Sequence, residues 1–168
     1  MKSLKKVQTY LLAECFNKLF IGGQFVDPID GEKFPTYYPA TGELLHELPN
    51  GKANDVEEAI SSAEDAWAEG TWADMSAADR AEIVFKIAQG IEDNLEMLAE
   101  IEAADVGKPY RQAAKVMDGA ASEGKYWCSL GKVLDADQDK PVNSGGGKGG
   151  LPPEEYDVVY RRDPIGVV

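Results

Sequence analysis

The sequence predicts an α/β protein, and three observations carry that expectation. Its front end consists of short apolar stretches broken by Gly and Pro turns, which reads as hairpins. Its middle places apolar residues at helical spacing. It closes on an unbroken Ile-Gly-Val-Val run, the kind of segment that enters a parallel sheet covered on both faces.

The hairpin reading begins at Leu19-Phe20-Ile21-Gly22-Gly23-Gln24-Phe25-Val26, two strands around a Gly-Gly turn. Asp27 to Gly31 supplies turn residues, Phe34 to Tyr38 returns as an extended piece, Pro39 to Gly42 turns again, and Glu43 to Leu48 follows as a strand. From Asp55 the period changes. Val56, Ala59, Ile60, Ala63, Ala66 and Trp67 form one helical stripe, with Asn54 as the expected N-cap, acids in the first turn and Gly70 as the stop. Ser76 caps a second helix whose expected buried face is Ile83, Ile87 and Ile91, flanked by Val84 and Ala88. A third runs from about Leu95 to Gly107, where Gly favours a left-handed C-terminal position and Pro109 forbids continuation. A fourth covers roughly Tyr110 to Leu134, with Gly119 and Gly124 allowing close packing. Beyond it, 143–153 is a Gly-rich loop, 157–162 a strand, and 164–168 the start of a buried strand. Domains rarely end inside such a strand, so the reading expects the chain to stop short of a complete one.

Composition bounds the function. The 168 residues are 43% hydrophobic and 28% charged, ordinary values for a globular domain. A net charge of −13 argues against nucleic acid or an anionic membrane as partner, since both are negative. No apolar run approaches the roughly 18 residues of a membrane span. The start, MKSLKKVQTYLLAECF, is interrupted by Glu14 and reads as a cytoplasmic N-terminal extension, with an amphipathic organelle-targeting leader left open. Cys15 and Cys128 match no metal or redox spacing and read as free, packed thiols. His46, the sole histidine, reads as structural, and Glu57 and Glu58 as solvated. Ser144 to Gly150 is no phosphate loop, because Gly149 follows Lys148 where Ser or Thr is needed and Leu-Pro-Pro replaces a helix. No catalytic constellation is visible.

Five segments in order resemble the aldehyde dehydrogenase superfamily. These are Leu19 to Val26 as its opening hairpin, and Phe34 to Glu43 as the strand with its N-P-A-T-G-E turn, Tyr38 standing where Asn is usual. Asp55 to Ile60 follows as the start of its first helix, Glu102 to Pro109 as its E-x-x-D-x-G-K-P turn, and Arg161 to Val168 as its R-x-x-P-x-G-V entry to the cofactor sheet. The resemblance implies the N-terminal part of that fold: a β-hairpin, the helical layer of a Rossmann-like NAD(P)-binding domain and an oligomerisation β-arm. The corresponding organisation is an extension at 1–18, the cofactor-domain part at 19–136, the arm at 137–163 and a sheet strand from 164. It also implies oxidation of an aldehyde to a carboxylic acid with NAD or NADP, in a homodimer or homotetramer. The nucleophilic Cys, general-base Glu and oxyanion Asn lie beyond Val168, so neither cysteine here inherits a role and this stretch alone is expected to be inactive. Some relatives bind a monovalent cation near the positions matching Thr36 and Asp105, which are the only candidate site residues. Leu134 to Gln138 before Pro141-Val142 is similar to the betaine- and aminoaldehyde branch, from which the Gly-rich stretch at 143–150 departs. The alternative is a non-catalytic short protein acting as an oligomerisation or interaction module.

Overall fold

The computed structural model describes residues 4–132 and 165–168. Its elements run α1 (Leu4–Tyr10), β1 (Leu19–Ile21), β2 (Gln24–Val26), β3 (Lys33–Tyr37), β4 (Leu44–Pro49), α2 (Ala53–Glu69), α3 (Ala77–Asp93), α4 (Leu95–Val106) and α5 (Tyr110–Gly131). The strands form two separate antiparallel pairs, β1 with β2 and β3 with β4. The expected β-arm at 137–163, with its Gly-rich loop and 157–162 strand, lies outside the described residues.

Local chemistry explains the turns. Gly22 and Gly23 take φ of 59° and 75°, the left-handed pair that a two-residue hairpin turn requires, and this sets Phe20 opposite Phe25. Their rings meet at 5.1 Å. Ser76 caps α3 as expected, its hydroxyl oxygen accepting from the Asp79 N–H at 3.1 Å. Gly107 ends α4 in the left-handed region, and a Cβ there would come within 3.0 Å of Pro39 Cγ. The close of α4 therefore rests on the turn between β3 and β4.

Packing departs from the expected stripes in three places. α3 lies along α5, but through alanines rather than isoleucines: Ala77, Ala81 and Ala88 are buried while Ile83 and Ile87 are exposed. The reason is the facing helix. A Cβ on Gly124 would stand 2.9 Å from Ala88 Cβ, and one on Gly131 would stand 3.6 Å from Ala81 Cβ. Such small-on-small contact draws the axes together and pushes bulkier side chains off the seam. Gly119, grouped with Gly124 in the sequence, has open space around it. On α2, Val56, Ile60 and Trp67 are all exposed, because among the described residues this helix packs chiefly on β1. Residues 165–168 form no strand: Gly166 has φ 89°, off extended geometry, and Gly166 to Val168 lie beside Trp67 and Trp72.

The start of the chain supplies core. Val7 and Leu11 are buried with Leu45 of β4 and Ala104 of α4, and Phe16, Tyr38 and Ile101 pack around them. A second cluster joins α4 to α5 through Ala99, Ala103 and Ala113. Lys6 also reaches α4, its Nζ 2.9 Å from Oε2 of the buried Glu100 and 3.2 Å from Oε1 of Glu96.

Candidate functional site

The two candidate ion-site residues stand on elements that meet at one turn. Thr36 is in β3 opposite His46 of β4, and a register irregularity follows it at Tyr37. Its hydroxyl donates to the His46 carbonyl at 3.3 Å. Beyond β3 the chain turns tightly: Gly42 N–H donates to the Tyr38 carbonyl and Tyr38 N–H to the Glu43 carbonyl, both at 2.8 Å. The Thr41 hydroxyl donates to the Glu43 carboxylate at 2.8 Å. Asp105 is exposed in the last turn of α4, two residues before the Gly107 that meets Pro39. An ion pair of 2.5 Å between Lys108 and Glu102 spans the same corner. The fold thus brings the β3–β4 turn and the α4 terminus together, with one hydroxyl already committed to a backbone carbonyl and one carboxylate facing water.

No reactive arrangement joins them. Among the described residues no group of three or more His, Cys, Asp or Glu side chains could hold a metal ion. Both cysteines are free thiols, with Cys128 buried and Cys15 exposed. The sequence reading packed both; Cys15 instead sits in a single 3-10 turn, Glu14–Phe16, whose inward residue is Phe16. His46, the only imidazole in the chain, is 3.1 Å through Nε2 from Asn17 Oδ1. Asn17 Nδ2 donates to the Leu11 and Ala13 carbonyls, so Oδ1 is the acceptor and His46 Nε2–H donates to it. That histidine ties β4 to the end of the leading segment.

The described residues by themselves also form no dinucleotide site. Such a site needs a parallel strand, a Gly-rich turn and a helix N-terminus aimed at the pyrophosphate, whereas the described strands are paired antiparallel in twos.

The sequence marked Asp55 only as one of the acids in the first turn of α2, without its backbone partners. Asp55, third residue of α2, is buried and accepts from the Lys52 N–H at 2.8 Å and from the Ile29 N–H at 2.9 Å. These backbone hydrogen bonds, that from Lys52 foremost, hold its carboxyl below the usual carboxylate range. Lys52 is the N-cap, not Asn54, since Asp55 rather than the cap side chain engages the orphan amide. Beside it Lys52 Nζ lies 2.7 Å from Glu32 Oε2, which lowers the Glu32 pKa in turn. Glu57 and Glu58 face solvent as expected.

These features define a scaffold: hairpins and helices clasped by caps and backbone-bound carboxylates. Comparison with known proteins gives the scaffold its class. The model of the aldehyde dehydrogenase family matches residues 25–168, and the chain belongs to that family. It is 35% identical over 153 residues to aminoaldehyde dehydrogenase 2 of Zea mays, covering 89% of this chain and 29% of that protein. It is 41% identical over 154 residues to aldehyde dehydrogenase 1 of Tanacetum cinerariifolium, covering 91% and 29%. Among solved structures it is similar to a betaine aldehyde dehydrogenase of Staphylococcus aureus in complex with NAD+, with TM-score 0.75, 25% identity, and 84% of this chain against 28% of the other. An NAD+ complex of aldehyde dehydrogenase from Bacillus cereus matches at TM-score 0.68 and 37% identity, covering 74% and 25%. The chain therefore spans less than a third of the length of these relatives. Its mixed helices and strands are the N-terminal part of their α/β fold, as the ordered motifs led one to expect.

Proposed function

We propose that this chain is the N-terminal scaffold of an NAD(P)+-dependent aldehyde dehydrogenase, an enzyme that oxidises an aldehyde to a carboxylic acid. The supporting observation is 35% identity along 89% of the chain to a relative of which this stretch is 29%. The cofactor and the reacting groups fall to the portion of the relatives beyond this stretch, so no catalytic step is assigned to Cys15 or Cys128. The substrate proposed is an aldehyde of the amino- or betaine-aldehyde class, which the Zea mays relative's name supports. The setting proposed is a cytoplasmic homodimer or homotetramer. Thr36 and Asp105 are proposed as ligands of a monovalent cation at the β3–β4 turn, Asp105 supplying a hard carboxylate oxygen.

Two measurements test the reading. The 168-residue chain, incubated with NAD+ or NADP+ and a panel of aldehydes, should reduce no cofactor above a protein-free control. A chimera carrying residues 25–168 in place of the matching stretch of the Zea mays enzyme should fold, bind NAD+ and oxidise aminoaldehydes. A folded chimera that binds NAD+ without turnover, or turnover by the short chain after repurification, refutes the scaffold reading.

A further inference from the structure

We propose that Asn50 is a site of spontaneous deamidation whose isoaspartyl product unclasps the start of α2. Asn50-Gly51 is the one Asn-Gly pair in the sequence, and it occupies the link between β4 and α2. The reaction needs a nucleophilic amide nitrogen without side-chain hindrance on the following residue, and Gly51 provides it. Gly51 is exposed and lies outside any helix or strand, and among the described residues no hydrogen bond engages its N–H. The Asn50 side chain is held only at 3.5 Å from Glu32 Oε2. In the step itself the Gly51 nitrogen bonds to Asn50 Cγ, the Cγ–NH2 bond breaks, and ammonia leaves with the proton from the Gly51 nitrogen. Water then opens the cyclic imide at either carbonyl, giving Asp or isoaspartate at position 50. No oxidant or further reactant is involved.

The surroundings turn this chemistry into a structural event. Isoaspartate carries the backbone through its side chain and so lengthens the main chain by a methylene, two residues ahead of the Lys52 N–H that Asp55 Oδ2 grips at 2.8 Å. Either product also adds a carboxylate beside Glu32, where the amide now donates, and competes for Lys52, whose Nζ is 2.7 Å from Glu32. Like charges so placed oppose each other. The helix N-terminus favours an acid, but Asp55 and Glu32 already fill that role. The clasp to Ile29 loosens with the rest.

The test ages the full chain at physiological temperature and mildly alkaline pH, with peptide mapping, an isoaspartate assay and thermal unfolding at intervals. Gly51→Ala is the comparison variant. It fits, because its Cβ would meet the Leu19 methyls at 3.6 Å, an ordinary contact, and Gly51 needs no left-handed backbone. Isoaspartate is expected to accumulate at position 50 ahead of Asn143-Ser144, and to be lost in Gly51→Ala. The two proteins should melt alike when fresh, with the aged wild type melting lower than the aged variant. The proposal is overturned if the folded chain stays unmodified at Asn50 while the urea-unfolded chain converts. It is equally overturned if the product accumulates and the aged proteins still melt together.

Discussion

Placing a methyl group at Gly124 should destabilise the protein, while the same change at Gly119 should stabilise it. Both glycines lie inside α5, so each Gly→Ala substitution gains about 1 kcal/mol of helix propensity. At Gly119 nothing lies within 4 Å of the new Cβ, and that gain stands alone. A rise of roughly 2–4 °C in Tm follows for a chain of this size. At Gly124 the new Cβ would sit 2.9 Å from Ala88 Cβ, well inside the optimum carbon separation of about 3.5–4.0 Å. Neither carbon can swing away, since each is fixed to a helix backbone, so α3 and α5 must part. Overpacking of this kind costs about 1–3 kcal/mol, which outweighs the propensity gain and leaves Gly124→Ala up to about 2 kcal/mol less stable. The reciprocal pair, Gly124→Ala with Ala88→Gly, cancels the propensity terms and removes the clash, since the next atom, Ala88 Cα, is 3.8 Å away. Thermal and urea unfolding of Gly124→Ala, Ala88→Gly and the pair against wild type completes a double-mutant cycle with a favourable coupling of about 1–3 kcal/mol. If Gly124→Ala stabilises as much as Gly119→Ala, or the pair is additive, the helices are not in contact at this seam and the packing argument is wrong.

Three further outcomes are expected. Ser76→Ala should cost about 1 kcal/mol through loss of the α3 cap, read as a lower urea midpoint with an unchanged slope. Iodoacetamide should alkylate Cys15 promptly and Cys128 only as the chain opens, because one is exposed and the other buried; equal rates by mass spectrometry would contradict the burial. The depressed pKa of Asp55 gives stability that is present above the ordinary carboxylate range and lost as pH falls through the lower folded value. Melting curves of wild type and Asp55→Asn should accordingly lie furthest apart at neutral pH and converge in acid; a constant gap would show that ionisation of Asp55 contributes nothing.

Reading the sequence succeeded where structure is decided by neighbours in the chain. Gly22-Gly23, Ser76 and Gly107 dictate backbone geometry through their own chemistry, and each sits where its turn or cap was expected. It failed where the outcome depends on what lies across a gap. Ile83 and Ala88 both belong to an apolar face of α3, and only the glycine opposite determines that Ala88 faces the seam. Asn54 was the expected N-cap of α2, yet the cap falls to Lys52, because Asp55 takes the Lys52 N–H together with a second amide from Ile29, 26 residues earlier. Nothing along the chain marks Glu100 for burial, which arises where Lys6 of α1 meets it on α4. The candidate site was legible as a turn sequence, since Thr36 and Asp105 flank the Pro39–Gly107 contact. Its chemistry was not, because ligand geometry is a property of the assembled elements.

The burial of Val7 and Leu11 changes what substitution in the first residues means. Chain starts ordinarily drift freely, since a frayed end loses little when its side chains change. Here two of the four buried members of a core cluster come from that start. Replacing either with alanine removes a packed side chain, and buried leucines lose about 2–5 kcal/mol in such a change. Sequence variation among near relatives at positions 7 and 11 should therefore be restricted to apolar residues of similar volume, while Leu12 and Ala13, which are exposed, vary without penalty. The leading segment is held to the tolerance of an interior.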